Sequence, residues 1–334
     1  MNSQQIIQGK KSFSSANIGK IFGFLAGISW ALVSIFLLLH DQSFRRRVDG
    51  LSTIIDSLRI GVSISFVSES MACIWVFFAV ISFKKVNLIK KTFTNKNVLW
   101  LIFGSIFGGP FGSVTYILGI QYIGPGLVSS ITVAYPVLAA MLAYLFLKQK
   151  MNINSMIGGA ISLLAILTLG ILQFSSGDLR NCWGFLFALF AAIGWAIESF
   201  MGSKAMNSNI DPIVSIFIRQ CISVLFIGIV FVISFNAFKT IKLVVTNIDV
   251  LWILGASFIA IVSFVLFYIS INKTGVGVAS GLNICYVVWI ILFELMIPKF
   301  YPWYIYILVV TVFCAQLITL LPDFNKNRLK RKKI

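Results

Sequence analysis

Histidine is almost missing from this chain of 334 residues: His40 is the single one. That excludes a His-based catalytic triad and any multi-His metal site. Acid is scarce too, with 10 Asp and Glu against 27 Lys and Arg. The five cysteines, Cys73, Cys182, Cys221, Cys285 and Cys314, are odd in number, scattered, and set in or beside apolar runs. They form no disulfide framework and no zinc spacing. No P-loop, HExxH or GxSxG motif occurs, so neither an enzyme nor a cofactor or metal site is expected. Only 11% of the residues are charged, while 59% are hydrophobic and the mean hydropathy is +0.96. A soluble domain carries about 25% charged residues. The polar residues here are too few to cover a water-facing surface.

What the chain has instead is long apolar runs. A membrane-crossing helix needs about 20 such residues. The runs predict ten: 20–39, 61–82, 98–120, 126–147, 153–174, 182–203, 212–235, 250–271, 276–297 and 303–321. A transmembrane barrel would need shorter segments of period-2 alternation. Aromatics make up 14% of the chain, with 31 Phe, as suits helices in contact with membrane lipids. The formal net charge of +17 is no nucleic-acid footprint, because the basic residues sit in short gaps between the runs. On one side of the membrane they number 18, on the other 7. This positive-inside bias puts both termini of a multi-pass membrane protein in the cytoplasm. Arg45, Arg46 and Arg47 are the local exception. The first nineteen residues are polar without an h-region, so the first span is expected to be retained. His40, just past that span, is expected at the surface.

The chain repeats internally. GISWAL at 27–32 matches AIGWAI at 192–197 and sets Trp30 opposite Trp195. IQYIGPGLVSSITVAYPV at 120–137 aligns without gaps to INKTGVGVASGLNICYVV at 271–288. The expected architecture is an all-α membrane protein of ten transmembrane helices in two inverted five-helix repeats, 20–174 and 182–321. A cytoplasmic segment 1–19 precedes them and a basic tail 322–334 follows. The 14 or so extra residues of the first half fall in the 40–60 connection. Inverted repeats are a transporter signature, with a site near the midplane between them.

Most tryptophans open or close a span and read as interfacial anchors, Trp75 and Trp100 among them. Trp30, Trp195 and Trp289 lie near mid-depth instead. Trp195 shares a helix face with Glu198, three residues on. Asn283, Tyr286 and Trp289 form a stripe at the same spacing. Three acids lie within the predicted spans: Glu69, Glu198 and Glu294. A carboxyl group in a membrane usually faces a cavity or a partner. Aromatic faces beside a carboxylate suit a quaternary ammonium ion, which has no N–H to donate. Plain packing also fits each tryptophan, Glu198 also fits a structural pair with Arg219, and Glu294 fits a packing or gating acid.

Ten spans in two inverted halves resemble the drug/metabolite transporter superfamily, of EamA type. Within it, four segments resemble the LicB-type choline transporters of bacteria: GGPFGSVTYILGIQYIG (108–124), VSSITVAYPVLAAMLAYLFLKQK (128–150), AIGWAIESF (192–200) with IRQ (218–220), and INKTGVGVASGLNICYVVW (271–289). The resemblance implies proton-coupled import of choline through an aromatic-lined site with one acid. Position by position it points to Trp30, Trp195, Glu198, Tyr286 and Trp289, with Asn283, Arg219, Tyr135, Glu69 and Glu294 behind them. Two features depart from the pattern: the longer 40–60 connection, and Ser68-Glu69 where a His-acid pair would be expected. The competing readings are a same-fold importer or exporter of another metabolite, such as an amino acid or amine, and a membrane receptor that transports nothing.

Overall fold

The structure, a computed structural model, describes residues 3–47, 53–147, 153–175, 177–297 and 301–319. Among them every regular element is helical. In the first half these are α1 (Ser3–Arg47), α2 (Ile54–Ser82), α3 (Val86–Phe93), α4 (Val98–Ile106), α5 (Val114–Ile123), α6 (Pro125–Thr132), α7 (Tyr135–Leu147) and α8 (Ile153–Ser175). In the second they are α9 (Leu179–Met206), α10 (Pro212–Phe226), α11 (Phe238–Thr246), α12 (Val250–Thr274), α13 (Val276–Asn283), α14 (Tyr286–Met296) and α15 (Trp303–Thr319). Eight helical stretches are long and apolar enough to cross a membrane. The fifth and tenth expected spans contain shorter apolar helices, Met156–Leu172 and Trp303–Ala315. The predicted tail 322–334 lies outside the described residues.

The expected long connection after the first span is mostly helix. α1 runs on to Arg47 and α2 begins at Ile54, its N-cap Thr53 closing a capping box with Asp56. At its other end α1 starts at Ser3, within the segment expected to precede it. The extra length buries His40 completely, against the surface position expected of it. Its ring stacks on Phe44 at 5.5 Å. Two of the three arginines that break the charge bias have local acids, and the third, Arg46, donates from Nε to the Gln42 carbonyl at 3.1 Å. Arg45 pairs with Asp41 at 2.9 Å and Arg47 with Asp249 at 3.4 Å. Two of the expected interfacial tryptophans also have partners inside the bundle. The Trp75 Nε1–H donates to Ser257 Oγ at 3.2 Å, and Lys204 Nζ sits 3.5 Å over the Trp100 ring.

Two helices break alike. Gly124, between α5 and α6, has φ 85° and ψ 161°; Gly275, between α12 and α13, has φ 85° and ψ 159°. That backbone region is open essentially to glycine alone. A second break follows each, at Val133 and at Ile284, both with φ −59° and ψ −12°. All four positions obey the offset of 151 found in the sequence alignment. Packing follows the same exchange. α1 lies along α12, as α9 lies along α4 and α5; α2 meets α10, and α8 meets α15. Such pairing is what a two-fold relation between the halves produces. α3 and α11, read from sequence as gaps, occupy matching places before α4 and α12.

Candidate functional site

The breaks and the close pairing of α9 with α4 and α5 shape the middle of the bundle. Between α4 and α5 the chain takes a π-helical course, Phe107–Ser113, around Pro110. Proline cannot donate to the helix ladder, and the wider turn accommodates it. The glycines in this stretch let α9 come close. A Cβ on Gly112 would stand 2.6 Å from Trp195 Nε1, and one on Gly108 would overlap the Glu198 carboxylate and lie 2.6 Å from Glu198 Cβ. Gly108→Ala should therefore push Glu198 out of place and cost about 1–3 kcal/mol, as overpacking does. A lowered thermal midpoint in detergent checks this; an unchanged one would mean that α9 lies farther away.

A cavity opens beside Trp195. It holds about 590 Å³ of empty space, mouth included, and extends from Trp30 towards the end of the bundle on which α9 and α12 finish. Its wall takes Trp30 from α1, Tyr135 from α7, Trp195 and Glu198 from α9, and Phe264, Phe267 and Tyr268 from α12. Asn283 and Tyr286 also line it. The rings hold one another edge to face. Trp30 and Trp195 meet at 5.4 Å and 84°, Trp30 and Phe264 at 5.5 Å, and Tyr135 and Trp195 at 6.3 Å. Tyr116 backs the two tryptophans, 4.8 Å from Trp195 and 5.8 Å from Trp30. Its hydroxyl is tied to Ser34 Oγ at 2.7 Å and Ser129 Oγ at 3.1 Å. Of the three tyrosine hydroxyls at the cavity, those of Tyr135 and Tyr286 are bound across the repeat. Asn283 Nδ2 donates to Tyr135 OH at 3.2 Å, and Tyr286 OH shares a 3.0 Å bond with Thr132 Oγ1. Thr132 and Asn283 are equivalent at the offset of 151, so each half orients the other's tyrosine.

Charge is concentrated on Arg219, which has no exposed surface. Its Nε donates to Glu198 Oε1 at 3.0 Å and its Nη1 to Glu69 Oε2 at 2.7 Å. Nη1 also donates to the Gln220 side chain, and Nη2 reaches Ser113 Oγ at 3.4 Å. The guanidinium lies 4.5 Å over the Phe264 ring, and Tyr268 OH donates to Glu198 Oε1 at 3.0 Å. Glu198 is thus on the cavity wall and in an ion pair at once. The sequence offered these as alternatives, and the fold supplies both.

Of the residues singled out from sequence, Trp30, Trp195, Glu198, Tyr286, Tyr135 and Asn283 meet at this cavity. Arg219 lies behind it. Glu69 reaches it only through Arg219 and lines a neighbouring cavity. Trp289 is not on the wall; it packs beside Phe293 at 6.1 Å. Glu294 is buried elsewhere, where it accepts from Tyr301 OH at 3.1 Å. Sequence reasoning missed Tyr116, Phe264, Phe267 and Tyr268. Phe264, Phe267, Tyr268 and Ile271 do share one face of α12 at helical spacing. That signal was present, but it contains neither a tryptophan nor an acid.

Residues 17–171 match the EamA-like transporter family. Protein LicB of Haemophilus influenzae is 27% identical over 277 residues, covering 82% of this chain and 87% of that protein. A solved crystal structure superposes with a TM-score of 0.57 at 13% identity, over 92% of this chain and 97% of its own, and shows the shared fold. The chain is accordingly a helical, multi-pass membrane protein whose residues 17–171 are similar to the EamA-like transporter family, a likeness that supports a role in moving small metabolites.

Proposed function

We propose that this transporter imports choline or a related small quaternary amine across the cytoplasmic membrane, by alternating access around the cavity at Trp30 and Trp195. The observation that carries this reading is a mid-bundle cavity whose wall includes seven aromatic side chains and one carboxylate, Glu198. A quaternary ammonium ion binds through aromatic faces and an opposite charge, each face contributing about 0.5–2 kcal/mol. Three faces supply up to about 6 of the roughly 8 kcal/mol that micromolar affinity needs. The carboxylate supplies the rest. The sequence resemblance to LicB-type choline transporters supports the same substrate class. With both termini in the cytoplasm, as the 18-to-7 bias of basic residues favours, the cavity extends towards the cytoplasmic end.

Charge counting favours a second reading for the coupling. Glu69 and Glu198 face one guanidinium, so the ionised cluster carries one excess negative charge. A bound cation neutralises it, and so does a proton. The two compete, and obligatory competition makes an exchanger that moves no net charge. A cation travelling alone gains about 2.3 kcal/mol per 100 mV of inside-negative potential; one exchanged for a proton gains nothing from it. In that second reading the protein exports an amine against protons.

Proteoliposomes separate the two. Import predicts that an inside-negative potassium diffusion potential speeds uptake of labelled choline at equal pH on both sides. Exchange predicts indifference to the potential and uptake driven by an acidic interior. Absence of choline uptake under either gradient removes choline as the substrate.

A further inference from the structure

A second cavity lies on the far side of Trp30 and Phe264. It holds about 400 Å³ of empty space, mouth included, between α1, α2, α5, α10 and α12. Glu69, Ser68, Tyr116 and Gln220 line it, and Trp30 and Phe264 belong to its wall as well as to that of the first cavity. These two rings, 5.5 Å apart, stand between the two spaces. The first cavity runs from them towards the ends of α9 and α12; the second includes Val33 and Leu37, farther along α1 towards Arg47. The two therefore follow one another along the bundle axis, each with its own acid.

Gln220 points to what the second space takes. The residue is 1% exposed. Its Oε1 accepts from Arg219, which fixes which way the amide faces, and its Nε2 has no hydrogen-bond partner. A buried donor left unmade is costly, so an acceptor belongs beside it. On the same wall are a carboxylate, Glu69, and the rings of Trp30, Tyr116 and Phe264. Carboxylate and rings suit a cation; the Nε2 donor suits an oxygen on the same molecule.

We propose that this second cavity is a separate station for the transported cation, reached before the Trp30–Phe264 wall, and that Gln220 there recognises the oxygen of a hydroxyl-bearing small organic cation. The inference rests on the reading of the first cavity as a quaternary-amine site. Arg219 couples the stations, since it holds Glu69 on one side and Glu198 on the other. The cluster has excess charge for one cation at a time, so the stations fill in turn.

The test uses the full chain in proteoliposomes and two cations, choline with its hydroxyl and tetramethylammonium without one. Gln220→Leu should raise the half-saturating concentration for choline uptake about tenfold. Inhibition of that uptake by tetramethylammonium should change less than twofold. Equal changes for both cations, or none, overturn the role of Gln220. A second measurement does not depend on that variant folding. Ser68→Cys, in a background with the five native cysteines replaced, is labelled with a trimethylammonium methanethiosulfonate. Choline and tetramethylammonium should each slow labelling at least threefold; an unaltered rate with both overturns the station. If the wild-type protein neither transports nor binds choline, the reading of the first cavity fails. The labelling assay with tetramethylammonium still decides the second.

Discussion

Arg219→Met should lower the stability of the folded transporter by about 3–5 kcal/mol, the cost of removing one partner from a buried ionic cluster. Arg219 has no surface, and its guanidinium is the basic group shared by Glu69 and Glu198. Without it two carboxyl groups face each other in a low-dielectric interior and must take up protons or water. Methionine keeps most of the length and the apolar stem, so the charge rather than the volume is tested. The thermal midpoint in detergent reads the loss. Adding Glu69→Gln to Arg219→Met should recover part of it, because one uncompensated charge is gone. A single variant that melts like the wild type would mean that the cluster is open to water.

Glu198→Gln should leave the fold intact and impair binding instead. The amide oxygen can still accept from Arg219 and from Tyr268 OH, which now both meet Glu198 Oε1. What disappears is a negative charge on the cavity wall. At about 5 Å and an effective dielectric near 20, one unit charge is worth about 3 kcal/mol to a bound cation, up to about a hundredfold in affinity. Titrating choline into the purified variant and into the wild type measures the loss. Unchanged affinity would leave Glu198 only as a structural partner of Arg219, and the charge for the substrate would have to come from elsewhere.

Much of this protein can be read along the chain. Membrane residence follows from a 59% hydrophobic composition with 11% charge. Helix positions follow from the length of the apolar runs, since a bilayer admits only backbone that satisfies its own hydrogen bonds. The repeat at an offset of 151 pairs Gly124 with Gly275, and the two share a positive φ. Counting 1.5 Å per residue set Trp30 and Trp195 at one depth, and they touch. All of these depend on composition, spacing or rise along one helix.

Partnership is a different kind of information, because it depends on how each helix is rotated about its axis and how near its neighbours come. Trp289 has the depth of Trp30, but it lies off the cavity wall beside Phe293. Glu69 and Arg219, 150 residues apart, meet because α2 packs against α10. α9 sits close enough to place Trp195 and Glu198 because Gly108 and Gly112 carry no side chain where those residues pack. His40 is buried because α1 outlasts the apolar run that marked it. Composition and spacing put rings and acids at mid-depth. Only the packing of one helix on another decided that Glu198 faces both a cavity and an arginine, and that a second cavity follows behind Trp30.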